Sequence, residues 1–272
     1  MSRLIRFFKK RRNGGFTMVE MIVSVVLLAI LLGGMTLMIT PILRSFSDTK
    51  RDLVAENVST CIQTYISTSM QDATNVVIFA NTNYDSIKTA ANDKINGLKS
   101  FCKTQTSDAK NAYTLQCISL KYDTTDNRYY LYNEESDLND SVNPLKGTGN
   151  LAFSECLYND LYYSLSIYKA LDLDKNDGTR MNDTAEITIS TYSDVAMSNL
   201  VFGGIGLTEF REIGRDIALR ASNAKNTLDP FKFEIYTGET ITACDGFSTT
   251  DAVDGARDIY IFFTKYNYES IK

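Results

Sequence analysis

The chain has 272 residues, 44% of them hydrophobic, with 28 Lys and Arg against 33 Asp and Glu, a net charge of −5 and no histidine. That length is enough for one large or two small domains. The missing imidazole excludes Ser-His-Asp and Cys-His nucleophile pairs, His-ligated metals and imidazole pH switching. The acidic balance disfavours general binding to phosphate backbones, and no motif points to an enzyme built on carboxylates alone.

The first fifteen residues carry six basic side chains, Arg3, Arg6, Lys9, Lys10, Arg11 and Arg12, and no acid. Gly14-Gly15-Phe16-Thr17-Met18-Val19-Glu20 follows, and then Met21–Leu43, 23 residues without a charge before Arg44. As a helix this run is about 34 Å long at 1.5 Å per residue, enough for a hydrocarbon core of about 30 Å. The basic excess before it places the N-terminus in the cytoplasm and the rest of the chain outside. Glu20 is an acid inside the apolar segment, a costly position that calls for a partner and a role. A secretory signal has its small-residue cleavage site after the apolar stretch. Here the glycine pair precedes it, so a cut after Gly15 leaves the helix on the mature protein with a new amine at Phe16.

This order of basic leader, Gly15, Phe16, Thr17, Glu20 and long apolar helix resembles the prepilin signal of type IV pilins and pseudopilins. The match covers residues 9 to about 40. The resemblance implies that a membrane prepilin peptidase cuts after Gly15 and methylates Phe16. It also implies that Glu20 neutralises the terminal amine of a neighbouring subunit in a filament. Pairing the two groups offsets the cost of each in a dry helix bundle and fixes the stagger between subunits. Loss of the six leader charges leaves 22 basic against 33 acidic residues, a side-chain net of −11.

Gly33, Gly34 and Pro41 punctuate the second half of the apolar segment. Pro41 removes a backbone donor and is expected to bend or loosen the helix near its exit from the membrane, a helix break at the membrane surface being the alternative. Beyond it Ile42, Phe46, Leu53, Val54, Val58, Cys61, Ile62, Tyr65, Ile66, Met70 and Ala73 recur at three- and four-residue steps. This predicts one helix from about Met18 to Val77 whose second half is one-sided and covered by a head.

Tyr84–Ser100 reads as a short helix or structured loop, with Ile87, Ala91, Ile95 and Leu98 on one face. Tyr113–Tyr122 and Arg128–Tyr132 read as a hairpin joined by Asp123-Thr124-Thr125-Asp126-Asn127. Asn133–Asn150 reads as a surface loop. Leu161–Leu171 and Ala185–Tyr192 form a second strand pair, and Phe231–Tyr236 and Asp258–Tyr266 are the last strands. Phe202-Gly203-Gly204-Ile205-Gly206 lacks the order of a dinucleotide site and reads as a flexible joint. Leu207–Ala224 reads as a charged helix after it.

Asp172–Asp183 echoes a calcium loop, but its glycine is one place late and no glutamate closes it. An acidic turn is the plainer reading. The cysteines are Cys61, Cys102, Cys117, Cys156 and Cys244, an odd count that leaves at least one unpaired. Disulfides, a thiolate zinc site and buried reduced thiols all stay open. Cys102–Cys117 is the first pairing by chain proximity, and no Cys-x-x-Cys supports zinc.

The expected fold is α+β: a long N-terminal helix, transmembrane in its first half, packed on an antiparallel-sheet head, with a small second lobe at the C-terminus. The expected divisions are a cleaved leader (1–15), a membrane or filament-core helix (16–43), an amphipathic helix half (44–80), a head (81–200) and a C-terminal lobe (201–272). The resemblance implies a non-enzymatic subunit of a type IV pilus. It would sit in the cytoplasmic membrane before assembly and on the cell surface afterwards. Its partners would be the prepilin peptidase, other pilin subunits and the assembly platform, with its head free for adhesion. A pseudopilin of a secretion or DNA-uptake machine shares every N-terminal feature. A membrane-anchored binding module is the other alternative.

Overall fold

The computed structural model describes residues 16–70, 73–90, 93–105, 113–135, 149–158, 160–171, 178–209, 232–238, 241–249 and 258–266. The chain divides between Arg51 and Asp52 into two compact units, and the boundary falls inside the first helix. That helix, α1, is continuous over Met18–Met70 with Pro41 inside it. Pro41 is therefore not a break in the helix. The missing N–H removes one bond, to the Leu37 carbonyl, while the hydroxyls of Thr36 and Thr40 donate to Leu32 O at 2.9 Å and Thr36 O at 3.1 Å in the adjoining turns.

In the N-terminal unit, the large apolar side chains of α1 are exposed throughout: Met21, Val25, Leu28, Leu32, Met38, Ile42 and Phe46 all lie more than half open. Neither Gly33 nor Gly34 has any atom within 4 Å of where a Cβ would stand.

In the second unit, α1 contributes Ala55, Val58, Ile62, Ile66 and Met70, all at most 1% exposed. The steps of three and four put them on one helix face. The helix ends earlier than its apolar pattern suggests. Residues 73–80, expected to be helical, belong to strand β1 (Ala73–Thr82). The run Val76-Val77-Ile78-Phe79 is β-branched and aromatic, which favours a strand. It is apolar on both faces because both faces are covered: Val76, Ile78 and Ala80 join one core cluster, Val77 and Phe79 the other.

Two short helices follow, α2 (Tyr84–Ala90) and α3 (Lys94–Gln105). Next come β2 (Tyr113–Asp123), β3 (Arg128–Glu135) and β4 (Asn150–Leu151). A 3₁₀ turn at Glu155–Leu157 leads to β5 (Tyr162–Leu171), β6 (Arg180–Tyr192) and β7 (Leu200–Glu209). The last four strands are β8 (Lys232–Thr237), β9 (Thr242–Cys244), β10 (Gly246–Ser248) and β11 (Asp258–Tyr266). Among the described residues these strands make a seven-stranded sheet, β4-β3-β2-β11-β1-β8-β9, and a four-stranded sheet, β10-β5-β6-β7. Among the described residues only β1 and β8 pair in parallel. The expected hairpin is present: Asp123 lies opposite Arg128, Asp123 Oδ1 accepts from Thr125 N at 2.7 Å, and Asn127 takes a φ of 54°.

One face of the larger sheet shares its core with α1 and the smaller sheet, through Ile118, Ile261, Leu165 and Ile187 among others. The opposite face is covered by Ile87 of α2 and by Ile95, Leu98 and Cys102 of α3.

Two expectations for the C-terminal third are corrected. Phe202–Gly206 is not a joint but part of β7, paired with β6 along its length. The glycines lie in an edge strand, where the missing side chains cost least. Residues 207–209 continue that strand rather than starting a helix, and residues 210–224 lie outside the described residues. Nor do the described strands of 201–272 make a separate sheet of their own. β11 sits between β1 and β2, and β8 beside β1, so strands from the chain's end complete the sheet that β1 and β2 begin.

Candidate functional site at the start of the long helix

The beginning of α1 is built by residues four apart at most. Thr17 is the N-cap: its carbonyl accepts the first helical bond from Met21 N at 3.1 Å. Its hydroxyl accepts from Glu20 N at 3.3 Å. Glu20 Oε2 reaches back and accepts from Thr17 N at 2.9 Å and from Thr17 Oγ1 at 3.0 Å. This is a reciprocal capping box, which satisfies backbone donors that a helix start otherwise leaves open. Thr-x-x-Glu spacing carries the signal for it, and attention to Glu20 as a lone membrane acid passes over Thr17 as its local partner. These bonds use only one of the two carboxylate oxygens. Phe16, just before the cap, is 79% exposed. Gly15 and the basic leader lie outside the described residues.

Glu20 is thus an acid fixed in direction at the head of an apolar, uncovered helix. α1 is the one described helix long and apolar enough to cross a membrane. Chemically this end can do two things. The helix can sit in lipid or against other apolar helices, and the carboxylate can accept from a cation placed beside the first turn.

The other candidate residues do not gather into a site. Cys61 is exposed on α1, Cys244 is half-buried on β9, and Cys102 and Cys117 are buried; none of the four forms a disulfide. The expected Cys102–Cys117 bridge is not made, although both residues belong to the core cluster beneath α2 and α3. Burial pushes the Cys102 thiol up to about 12. It raises Cys117 well above the ordinary range too, with the Glu134 charge adding to the effect and Lys121 opposing it. Both therefore stay protonated and unreactive at neutral pH. The side chain of Cys156 lies outside the described residues. So does most of the acidic loop, 172–177, leaving its calcium echo without a described geometry. Among the described residues no group of three or more His, Cys, Asp or Glu is placed to hold a metal.

A family model described as the prokaryotic N-terminal methylation motif matches residues 10–36. This is the signal of type IV pilins and pseudopilins, and the chain carries it. Neither the curated proteins nor the solved structures hold a match to this chain. The motif supports a pilin-like or pseudopilin protein; it implies processing by a prepilin peptidase and assembly with other pilus components.

Proposed function

We propose that this chain is a minor or specialised structural subunit of a type IV pilus. Gly15–Phe16 is the cleavage bond, Phe16 is the residue methylated, and Glu20 pairs with the Phe16 amine of a neighbouring subunit during assembly. The observation that carries this reading is Glu20, a carboxylate held at the head of an apolar helix that nothing in its own unit covers. A lone ammonium and a lone carboxylate in a dry bundle are each unfavourable, and pairing removes both penalties. The size of the head supports a specialised rather than a bulk subunit. The exposed head would serve adhesion or contacts with partner subunits.

Mature protein from native membranes should begin at a methylated Phe16. Glu20→Ala should abolish incorporation into sheared fibres, while Thr17→Ala, which removes the cap hydroxyl but keeps the carboxylate, should incorporate. Unchanged incorporation of Glu20→Ala would refute the assignment. The same N-terminal motif opens the pseudopilins of secretion and DNA-uptake machines, so a pull-down of the mature protein is expected to recover pilus rather than secretion components.

A further inference from the structure

The face of the seven-stranded sheet opposite α1 carries a cluster of ionisable groups that assembly through α1 does not use. Cys117, Ser119 and Lys121 alternate along β2 and so share one face. Cys117 lies opposite Glu134 on β3, and Ser119 opposite Tyr132. On the other flank Ser119 pairs with Tyr260 of β11, and Ile259 with Leu120. The next residue, Asp258, therefore comes alongside Lys121.

Glu134 is 2% exposed. Its Oε1 accepts from Ser119 Oγ at 2.7 Å and contacts Lys121 Nζ. Its Oε2 is buried without a hydrogen-bond partner. Folded proteins rarely leave a buried acceptor unpaired, because it has lost water and gained nothing. The site is also closed above: a Cβ at Gly149 would fall 2.8 Å from Glu134 Cγ. Lys121 Nζ stands 5.2 Å from the centre of the Tyr132 ring. A buried carboxyl carbon and a lysine nitrogen are thus held in contact beside the Tyr132 ring.

We propose that Lys121 and Glu134 condense into an intramolecular isopeptide bond that cross-links β2 to β3. The ammonium first gives one proton to the carboxylate, where it comes to rest on Oε2, leaving a neutral amine and a neutral acid. Nζ then attacks Cδ. The Nζ–Cδ bond forms, the Cδ–Oε2 bond breaks, and Oε2 leaves as water with two of the three ammonium protons. Oε1 stays behind as the amide oxygen, still accepting from Ser119 Oγ. The reaction consumes no oxidant or cofactor. It removes two ionised groups and the one oxygen that had no partner. Holding the amine in contact with the carboxyl supplies the proximity such a condensation needs. Burial raises the Asp258 carboxyl, and the Glu134 charge adds to this against the opposing Tyr122 N–H, Tyr260 hydroxyl and Lys121. Asp258 thus brings a second carboxyl alongside the pair.

The test is a tryptic digest and intact mass of the full chain purified from native membranes. Residues 111–128 and 129–146 are separate tryptic products once Lys121 is blocked, because Arg128 lies between them. The expected result is a branched peptide joining the two through Lys121 and Glu134, lighter than their sum by one water, and an intact mass short by the same amount. Lys121→Arg and Glu134→Ala should each lose the branched peptide and recover the full mass. Cleavage at Lys121 with only linear peptides in folded wild-type protein would overturn the proposal, as would a missing water without the branched peptide. The wild-type digest decides even if a variant misfolds. Neither readout depends on cleavage at Gly15, so failure here and failure of the pilin assignment are separately visible.

Discussion

Replacing Ile62 by Ala tests whether the second half of α1 is built into the head. Ile62 is fully buried beside Val58 and Ile66, in a cluster that also takes in Val76, Ile118 and Ile261. Removing a buried isoleucine down to Cβ typically costs about 2–5 kcal/mol, part lost transfer energy and part cavity. For a unit of this size each kcal/mol moves Tm by roughly 2–4 °C. A mid-range loss of about 3 kcal/mol therefore lowers Tm by about 6–12 °C. Leu53, nine positions earlier on the same helix and in the same unit, is 55% exposed. Leu53→Ala should stay within about 0.5 kcal/mol of wild type. Near-UV circular dichroism of the full chain in detergent reports the melting, since the unit is rich in buried tyrosine. Equal shifts for the two variants, or a larger one for Leu53→Ala, would show that the buried stripe does not hold the head.

The glycines offer an opposed pair of substitutions. Gly97 lies inside α3 with open space where a Cβ would go, so Gly97→Ala should stabilise by about 0.4–1 kcal/mol through the unfolded chain. A Cβ at Gly246 would fall 2.0 Å from Tyr168 Cδ1, so Gly246→Ala should destabilise by about 1–3 kcal/mol; denaturant midpoints measure both. Mild alkylation of the folded chain followed by mass spectrometry should label Cys61 and spare Cys102 and Cys117 until the chain is unfolded. The Asp258 carboxyl is raised mainly by burial, so the folded state holds its proton more tightly than the unfolded one. Its contribution is present below the unfolded value of 3.8 and is lost as pH rises through the higher folded value. Asp258→Asn should therefore gain in Tm relative to wild type between pH 4 and neutrality, and a constant difference across that window would contradict the sign.

The sequence by itself determined the elements whose signals are local. Thr17 and Glu20 meet within one helical turn, so their order alone writes a helix start. The charge gap from Glu20 to Arg44 sets a membrane-length segment whatever follows. The hairpin at Asp123–Arg128 is legible because turn residues and alternating strands act on their nearest neighbours. Tertiary structure decided what depends on partners far along the chain. Val76–Phe79 continues the apolar record of α1, and only β11 and β8 on either side make it a central strand. Phe202–Gly206 reads as a joint until the edge of β6 gives it bonds. Residues 258–266 look like the end of a separate lobe because nothing nearby in sequence says that their neighbours are β1 and β2. The meeting of Lys121 with Glu134 is of the same kind, since two polar side chains 13 positions apart show no sign of contact until strand register puts both on one covered face.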